Sequence, residues 1–382
     1  MERRGSRRLR NLSASAVVVL LAVGCGRGGP LSTGSGGAGG AVRGGSGGAL
    51  GDAGGDAGLD GTSAEAPSRF VGWRTCGDLT SDRPPRPPYA LAASPDGRWL
   101  ALLDMPMSSM PGRTNPQSVA LWNLPSTVMV LRIEKIDAGS LAADVDLSPD
   151  GSLVAITGDA SIMVRTATGE RIWEHPPPPD ADLYGWVRNF AFTPDGAVLA
   201  SGRSRQVDLF RASDGVLIKP FAVSTPCLGV AISPDGSLLA TSAPSLLRLG
   251  DLVSLWSRPI FSPDWAGILL TDHWVTFSPD GALLVAQYAR IDTAARGLTF
   301  ETTTQLFETA SGALVRDLGE GLARRPTFSP DGRWIVAGER LFNLQTRQTA
   351  TLPIPAAASV FLPDGRIFVA ESTGATHLLC PL

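Results

Sequence analysis

Three of the six methionines in this chain fall within six residues, at Met105, Met107 and Met110. Thioethers are soft ligands, and a cluster with this spacing could bind Cu(I). A loop whose methionines pack on neighbouring side chains or contact a partner gives the same pattern, because methionine is flexible and polarisable. We favour this second interpretation and assign the three methionines to a partner-binding surface.

Other residues typical of catalysis or metal binding are scattered along the chain. His175, His273 and His377 have neither metal-ligand spacing nor a paired cysteine. A Gly-x-Ser-x-Gly match at residues 44–48 lies in a glycine-rich stretch, whereas the serine hydrolase motif requires a strand before it and a helix after it. The sequence therefore predicts no catalytic residue, no metal site and no cofactor.

The elements that must position any site are organised by a four-residue turn, Ser-Pro-Asp-Gly or a close variant. Pro fixes φ at the second turn position, Asp suits the third, and Gly accepts the left-handed conformation that closes a bulged hairpin. Each copy therefore predicts a β-hairpin. The turn occurs seven times, at residues 94–97, 148–151, 193–196, 233–236, 278–281, 329–332 and 362–365.

The segments that flank these turns predict buried strands. Nearly continuous apolar runs follow the turns, such as RWLALL after the first and SLVAI after the second. Runs of this length bounded by turn residues are typical of strands buried on both faces. A lone hairpin is marginal in water, so the seven hairpins must stack. The steps between successive turns, 33 to 54 residues, match the period of propeller blades.

A second turn completes the repeat. Thr168-Gly169, Asp214-Gly215 and Ser311-Gly312 each separate two further strand-like segments, which gives four antiparallel strands per unit. With these two turns the chain resembles the WD-repeat family of β-propellers, especially bacterial relatives that carry the Ser-Pro-Asp-Gly turn. The resemblance covers residues 69–382 and implies an all-β, seven-bladed β-propeller of four-stranded blades. The Trp-Asp ending and the Gly-His pair of the family are absent.

The same resemblance implies how the ring closes. The last repeat supplies three strands before residue 382, so its fourth strand is expected from residues 69–79. Such closure by N- and C-terminal strands that share one blade brings Cys76 near Cys380, and we predict a disulfide there. The alternative is two unpaired thiols whose register does not match. Cys227 is then expected to be a small buried hydrophobe.

The N-terminal region predicts export. Five arginines precede a short apolar run at residues 14–23, which is about half the length of a membrane-spanning helix, so residues 1–24 are interpreted as a signal peptide. Residues 21–25 resemble a bacterial lipobox, with cleavage before Cys25 and lipidation of that cysteine. Cleavage with release is the alternative. Residues 26–68 contain 17 Gly and predict, with Cys25, a disordered tether over residues 25–68.

Charge and the predicted anchor define the expected location. Loss of residues 1–24 removes five Arg and one Glu and leaves 28 basic and 35 acidic residues, a net charge of −7, so nucleic acid is not an expected partner. We expect a lipid-anchored protein of the cell envelope, with its head in the periplasm or at the cell surface. Gly26, where some inner-membrane lipoproteins have Asp, favours the outer membrane over the inner.

The function that we predict is a non-catalytic, protein- or polymer-binding scaffold. In the geometry of the family, the turns lie on one face, whereas the links between blades and the loops at residues 104–118 and 288–301 lie on the other. Long loops on one rim of a scaffold are common sites of partner binding. The residues assigned to this partner-binding face are Met105, Met107, Met110, Tyr184, Trp186, Trp265, His273 and Tyr288.

The alternative is an enzyme that uses the central channel, such as a lyase, a hydrolase or a quinoprotein. Residues 168–173 resemble the docking repeat of quinone-cofactor dehydrogenases, but a single repeat carries this pattern. Several polar or ionisable side chains at the channel mouth would favour the enzyme. An apolar, aromatic rim would favour the binding protein.

Overall fold

The fold consists of antiparallel β-sheets, as the turns predict. The computed structural model describes residues 72–79, 88–104, 118–134, 142–158, 161–176, 187–203, 206–223, 229–242, 244–258, 274–292, 299–320 and 325–382. These residues form 28 strands in seven four-stranded sheets. Within this part of the chain there is no helix of the length and apolarity that a membrane crossing needs. The predicted signal peptide, Cys25 and the tether lie outside the described residues.

The first three complete blades follow one another along the chain, and the strands of each pair in sequence order. The first strand of the protein, β1 (Trp73–Asp78), belongs to blade 7. Blade 1 contains β2 (Pro88–Ala93), β3 (Trp99–Asp104), β4 (Ser118–Asn123) and β5 (Val128–Glu134). Blade 2 contains β6 (Ala142–Leu147), β7 (Leu153–Gly158), β8 (Ser161–Thr166) and β9 (Arg171–His175). Blade 3 contains β10 (Val187–Phe192), β11 (Val198–Arg203), β12 (Gln206–Arg211) and β13 (Leu217–Ala222).

The next three blades repeat this order. Blade 4 contains β14 (Val230–Ile232), β15 (Leu238–Thr241), β16 (Ser245–Arg248) and β17 (Ser254–Ser257). Blade 5 contains β18 (Trp274–Phe277), β19 (Leu283–Asp292), β20 (Thr299–Glu308) and β21 (Leu314–Glu320). Blade 6 contains β22 (Thr327–Phe328), β23 (Trp334–Ala337), β24 (Arg340–Asn343) and β25 (Thr349–Thr351). At six of the seven junctions, all except that between blades 5 and 6, the first strands of neighbouring blades contact each other. The first strand of each blade lines the central channel, and we call it the inner strand.

Blade 7 joins the two ends of the chain, which confirms the predicted closure. It contains β26 (Ala358–Phe361), β27 (Ile367–Ala370) and β28 (Thr376–Pro381), and β1 pairs with β28 as its outermost strand. The register shifts around Cys76, and this residue forms a disulfide with Cys380 at a Cα–Cα distance of 5.8 Å. His377 of β28 adds a 2.7 Å contact to the carboxylate of Asp78 in β1. The predicted disulfide is therefore confirmed.

The repeated turns owe their shape to the residues that the sequence repeats. In the first turn the amide of Gly97 donates to the carbonyl of Ser94 (2.9 Å), and φ of Gly97 is 72°. The hydroxyl of Ser94 donates to Asp96 (2.5 Å) and accepts from the amide of Trp99 (2.9 Å). The same side-chain bond recurs in five further turns, whereas Leu362 replaces the hydroxyl residue in blade 7.

Seven apolar clusters hold the blades together, and each of them combines residues of two neighbouring blades. In β3, Leu100 and Leu102 pack toward blade 7, whereas Ala101 and Leu103 pack toward blade 2. This alternation explains the continuous apolar runs, because both faces of such a strand are buried. The cluster between blades 7 and 1 completes the ring, so that every pair of neighbouring blades shares an apolar interface.

The two ends of the propeller differ in what they carry. We call the end with the Ser-Pro-Asp-Gly turns the turn end, and the end where the inter-blade links enter the inner strands the link end. At the link end the expectation of a long loop over residues 288–301 is wrong in part. β19 and β20 continue as a paired ribbon to Asp292 and from Thr299, because their backbone groups satisfy each other along the extension.

Candidate binding site at the link end of the channel

The seven inner strands present seven equivalent residues at the link end, which we call the inner ring. Each stands four positions before the first residue of its turn, within two residues of the start of its inner strand. Three of them are small and four are polar or aromatic, so the ring has open and occupied sectors. The inner ring consists of Ala90, Asp144, Asn189, Gly229, Trp274, Arg325 and Ala358.

A hydrogen-bonded chain links the inner strands of blades 2, 3 and 4. The side-chain amide of Asn189 donates to Oδ2 of Asp144 (3.1 Å), and its oxygen accepts from the amide of Val230 (3.2 Å). Asp144 and Asn189 are almost completely buried. Among the described residues, Oδ1 of Asp144 has no hydrogen-bond partner. A buried carboxyl oxygen without a hydrogen-bond donor is costly when the carboxyl group is ionised, so these hydrogen bonds favour the protonated form of Asp144.

Two carboxyl groups on β6 have raised pKa values. Burial raises the pKa of Asp144 well above its ordinary value, and the nearby charge of Asp146 raises it further, against the lowering effect of Arg325. Burial also raises the pKa of Asp146, again against the effect of Arg325. Blades 2 and 6 are not neighbours, so these charge interactions act across the channel. The carboxyl groups of Asp144 and Asp146 therefore lie across the channel from the guanidinium of Arg325.

Arg325 and Trp274 form the opposite side of the inner ring. The guanidinium carbon of Arg325 lies 5.8 Å from the ring centroid of Trp274, within the range of a cation–π contact. Both side chains are half-buried. No hydrogen bond or ion pair to the guanidinium is found among the described residues. The indole thus holds the guanidinium in place while its N–H groups remain available to a ligand.

A small cavity lies beside this pair. It is lined by Tyr89, Trp274, Arg325 and Thr327, together with residues of β26, and its volume is about 20 Å³. A cavity of that size has room for about one water molecule. A ligand larger than a water molecule therefore does not fit inside this cavity.

A buried ion pair stands at the same end of blade 1. Asp104, the last residue of β3, accepts from the hydroxyl of Ser118 and from the guanidinium of Arg132. The Nε of Arg132 also donates to the hydroxyl of Ser118 (3.0 Å). The side chains of Asp104 and Arg132 are 3% and 12% exposed. This cluster fixes the strand ends from which the methionine-containing segment leaves and returns.

Most residues of the predicted partner-binding face lie outside the described residues. This holds for Met105, Met107, Met110, Tyr184, Trp186, Trp265 and His273. Tyr288 belongs to β19, but its side chain also lies outside them. The described histidines join separate parts of the chain, since Nε2 of His175 lies 2.6 Å from the carbonyl oxygen of Gly215 in the next blade. Among the described residues, no group of three or more His, Cys, Asp or Glu side chains could hold a metal ion.

The sequence interpretation missed the inner ring. Asp144, Asn189, Trp274 and Arg325 differ in type, and each stands in a different sequence context. A signal was nevertheless present, because alignment of the seven turns places all four at the same position. At that position the other repeats have only Ala or Gly, so the polar exceptions could have been found.

Comparison with known proteins supports the fold. No family model matches the chain. No curated protein matches it in sequence either. Among solved structures, the chain is similar to a chain of the hydrazine synthase of Kuenenia stuttgartiensis, with a TM-score of 0.57 and 16% identity. The match covers 81% of this chain and 99% of the other. At this identity the similarity shows a β-propeller fold and no more.

Proposed function

We propose that this protein is a WD-repeat-like propeller that acts as a non-catalytic binding scaffold of the cell envelope, with a protein or an envelope polymer bound at the link end. One observation carries the proposal, the cation–π pair of Arg325 and Trp274 at the channel rim. Arginine and tryptophan are among the residues most enriched where binding energy concentrates. The guanidinium is already oriented, so little ordering entropy is lost when a partner binds.

The small cavity beside this pair is consistent with the same proposal. Its volume of about 20 Å³ is far below the roughly 300 Å³ at which ligand pockets begin, so this cavity does not enclose a substrate. By the criterion that the sequence suggested, Trp274 at the rim favours the binding protein, whereas the ionisable Asp144 and Arg325 favour the enzyme.

The proposal is tested by affinity capture with the full chain, solubilised in detergent. An affinity tag inserted into residues 26–68 leaves the C-terminus in place, where the amide of Leu382 donates to the carbonyl of Gly72 (2.7 Å). A component retained by the wild type should be lost with Arg325→Ala and with Trp274→Ala. Arg98→Ala, an exposed arginine of the turn end, should retain it. Equal retention by all variants would refute the link-end site.

A second candidate function is an enzyme that uses the channel, such as a lyase, a hydrolase or a quinoprotein. The observation in its favour is the carboxyl pair of the buried Asp144 and the half-buried Asp146, whose raised pKa values suit a general acid. Turnover of a substrate by the wild type that is abolished in Asp144→Asn and in Asp146→Asn would support it. Turnover that persists in both variants would exclude these carboxyl groups as the catalytic pair.

The location is a separate part of the proposal. Residues 1–24 would direct export, and a lipid on Cys25 would anchor the protein, in the outer membrane rather than the inner. The expected net charge of −7 after removal of the signal peptide argues against nucleic acid as a partner. Metabolic labelling with a fatty acid in a bacterial host should label the wild type and leave Cys25→Ser unlabelled. An unlabelled wild type would favour cleavage with release.

A further inference from the structure

The turn end has one opening in an otherwise continuous set of contacts. At five blade junctions the Pro of one turn packs against the Gly of the next turn, so that a Cβ on Gly236, for example, would lie 3.3 Å from Pro194. At the junction of blades 1 and 2, Trp99 takes this place against Gly151. At the junction of blades 6 and 7, no atom of the described residues beyond the chain neighbours lies within 4 Å of the corresponding position on Gly365.

A cleft of about 340 Å³ occupies this junction, and we call it the blade 6–7 cleft. This volume falls within the range of small-ligand pockets. Its aromatic walls come from three separate strands, with Trp334 in β23, Phe361 in β26 and Trp73 in β1. The rings of Trp73 and Phe361 meet edge to face at 5.9 Å. The cleft therefore exists only because the first strand of the chain completes blade 7.

The indole N–H of Trp73 has no acceptor. The Nε1 atom is buried and has no hydrogen-bond partner among the described residues. Two other tryptophans of outermost strands donate to the backbone of the following blade, Trp173 to Ala212 and Trp256 to Thr309, both at 2.7 Å. A buried donor without an acceptor is costly, so the cleft favours a ligand that brings an acceptor oxygen.

Carboxylates add a charge preference to the cleft. Asp331 and Asp364 line it, and their side chains are 54% and 50% exposed. Arg366 contacts Asp364 closely, at 2.7 Å, whereas the ion pair of Asp331 with Arg333 has a longer distance of 3.8 Å. Oδ2 of Asp331 is therefore weakly paired and can accept a closer cation. The charge of the cleft is complementary to a basic group.

We propose that the blade 6–7 cleft binds a proline-rich segment of a partner protein that carries a basic residue. Polyproline II segments have no internal hydrogen bonds, so their carbonyls can accept from a tryptophan N–H, and their prolyl rings dock on aromatic walls. Nε1 of Trp73 is buried in the free protein, so the indole has to turn slightly toward the cleft before a backbone carbonyl of the segment can accept from it. A Lys or Arg side chain of the segment pairs with Asp331. This site lies at the opposite end of the propeller from Arg325 and does not depend on the proposed link-end function.

The test uses the full chain in detergent and fluorescein-labelled peptides. The probe is a Pro-Pro-Arg-Pro-Pro peptide, and the comparison peptides replace either all Pro by Ala or the Arg by Glu. We expect measurable anisotropy binding of the probe and at least tenfold weaker binding of both comparison peptides. Trp73→Phe should weaken the probe about tenfold, because one hydrogen bond is lost. Asp331→Asn should weaken it several-fold and should reduce the salt dependence of binding.

Matched controls keep the result interpretable. Asp195→Asn changes the same turn position in blade 3, which neighbours neither blade 6 nor blade 7, and should leave probe affinity unchanged. Thermal unfolding identifies any loss of fold in Trp73→Phe, and Asp331→Asn provides an exposed alternative if that variant unfolds. Absence of probe binding would overturn the proposal. It would also be overturned if Trp73→Phe and Asp331→Asn both bound the probe with the affinity of the wild type. Binding of neutral oligosaccharides in place of the peptide would overturn the class of partner.

Discussion

At the turn end, six hairpins repeat one arrangement, in which a Ser or Thr hydroxyl donates to the Asp two residues later. At the link end, the equivalent positions of the inner ring hold Ala, Asp, Asn, Gly, Trp and Arg. The turn end repeats because every blade needs the same hairpin. The link end varies because no hairpin depends on it. In this repeat protein, residues with specific chemistry therefore lie at the positions where the repeats differ from one another.

The same contrast extends to protonation. At the turn end, the hydrogen bond from the hydroxyl of Ser233, supported by amide and hydroxyl donors of Ser237, lowers the pKa of Asp235 to about 2. At the link end, burial raises the pKa of Asp144 well above its ordinary value. Carboxyl groups of the two ends thus contribute to stability with opposite signs as the pH changes. The predictions below use this difference, from the largest expected effect to the smallest.

The largest loss is expected at the link end, from Asp104→Ala. Removal of this carboxylate takes away the ion pair of the buried Arg132 with Asp104, which should lower the free energy of unfolding by about 3–5 kcal/mol. Urea denaturation measures the loss. The double variant Asp104→Ala/Arg132→Ala should recover part of it, because the guanidinium that lost this carboxylate is removed as well. A double variant as unstable as the sum of the two single variants would contradict this explanation.

The next largest effect should come from the closure that both ends share. Cys76→Ser removes the disulfide to Cys380, which is separated by 304 residues in sequence, and should cost about 2–5 kcal/mol. Because Cys76 is exposed, wild-type protein in reductant should lose the same amount. An unchanged urea midpoint under reducing conditions would mean that the pairing of β1 with β28 closes the ring without help.

Asp144→Asn should stabilise the protein at neutral pH. The raised pKa means that the native state holds a proton that the unfolded state releases above about pH 4, so stability falls as the pH rises through this window. The amide removes this dependence and should add on the order of 1 kcal/mol at pH 7. Unfolding measured between pH 4 and pH 8 checks the slope. A variant less stable than wild type at pH 7 would show that the ionised carboxylate is needed there.

The smallest effect is expected at the turn end, from Ser233→Ala. Loss of its hydroxyl bonds to Asp235 and to the amide of Leu238 should cost about 0.5–1.5 kcal/mol. The lowered pKa of Asp235 contributes stability that is present above about pH 4 and is lost as the pH falls toward about 2. The variant should therefore differ from wild type less at pH 2 than at pH 6. An equal difference at both pH values would mean that the hydroxyl of Ser233 stabilises the protein independently of the charge on Asp235.

Much of the fold could be predicted because its determinants are local. Pro, Asp and Gly specify each turn without help from the rest of the chain, and seven turns with apolar flanks require blades that stack. The fourth strand of blade 7 followed from counting, since the last repeat has three strands. The ribbon of β19 and β20 was predicted as a loop, because residues 288–301 lack the apolar alternation by which buried strands are recognised.

The candidate sites could not be predicted in the same way. The contact of Arg325 with Trp274 joins two blades, and the interaction of Arg325 with Asp144 crosses the channel. Each depends on the rotation from blade to blade, which no single repeat contains. The blade 6–7 cleft is harder still, because it arises from a contact that is missing at Gly365 and from Trp73, a residue near the other end of the chain.

The bond between Cys76 and Cys380 makes the polypeptide a covalent circle, with 75 residues before Cys76 and two after Cys380 outside it. A protease that cuts once in any connection between these residues would open the circle but release no fragment. The nicked protein would migrate as one species until a reductant is added, and two cuts would be needed to free a piece. In an environment rich in proteases, the molecule could thus accumulate damage at its loops and still keep every blade attached.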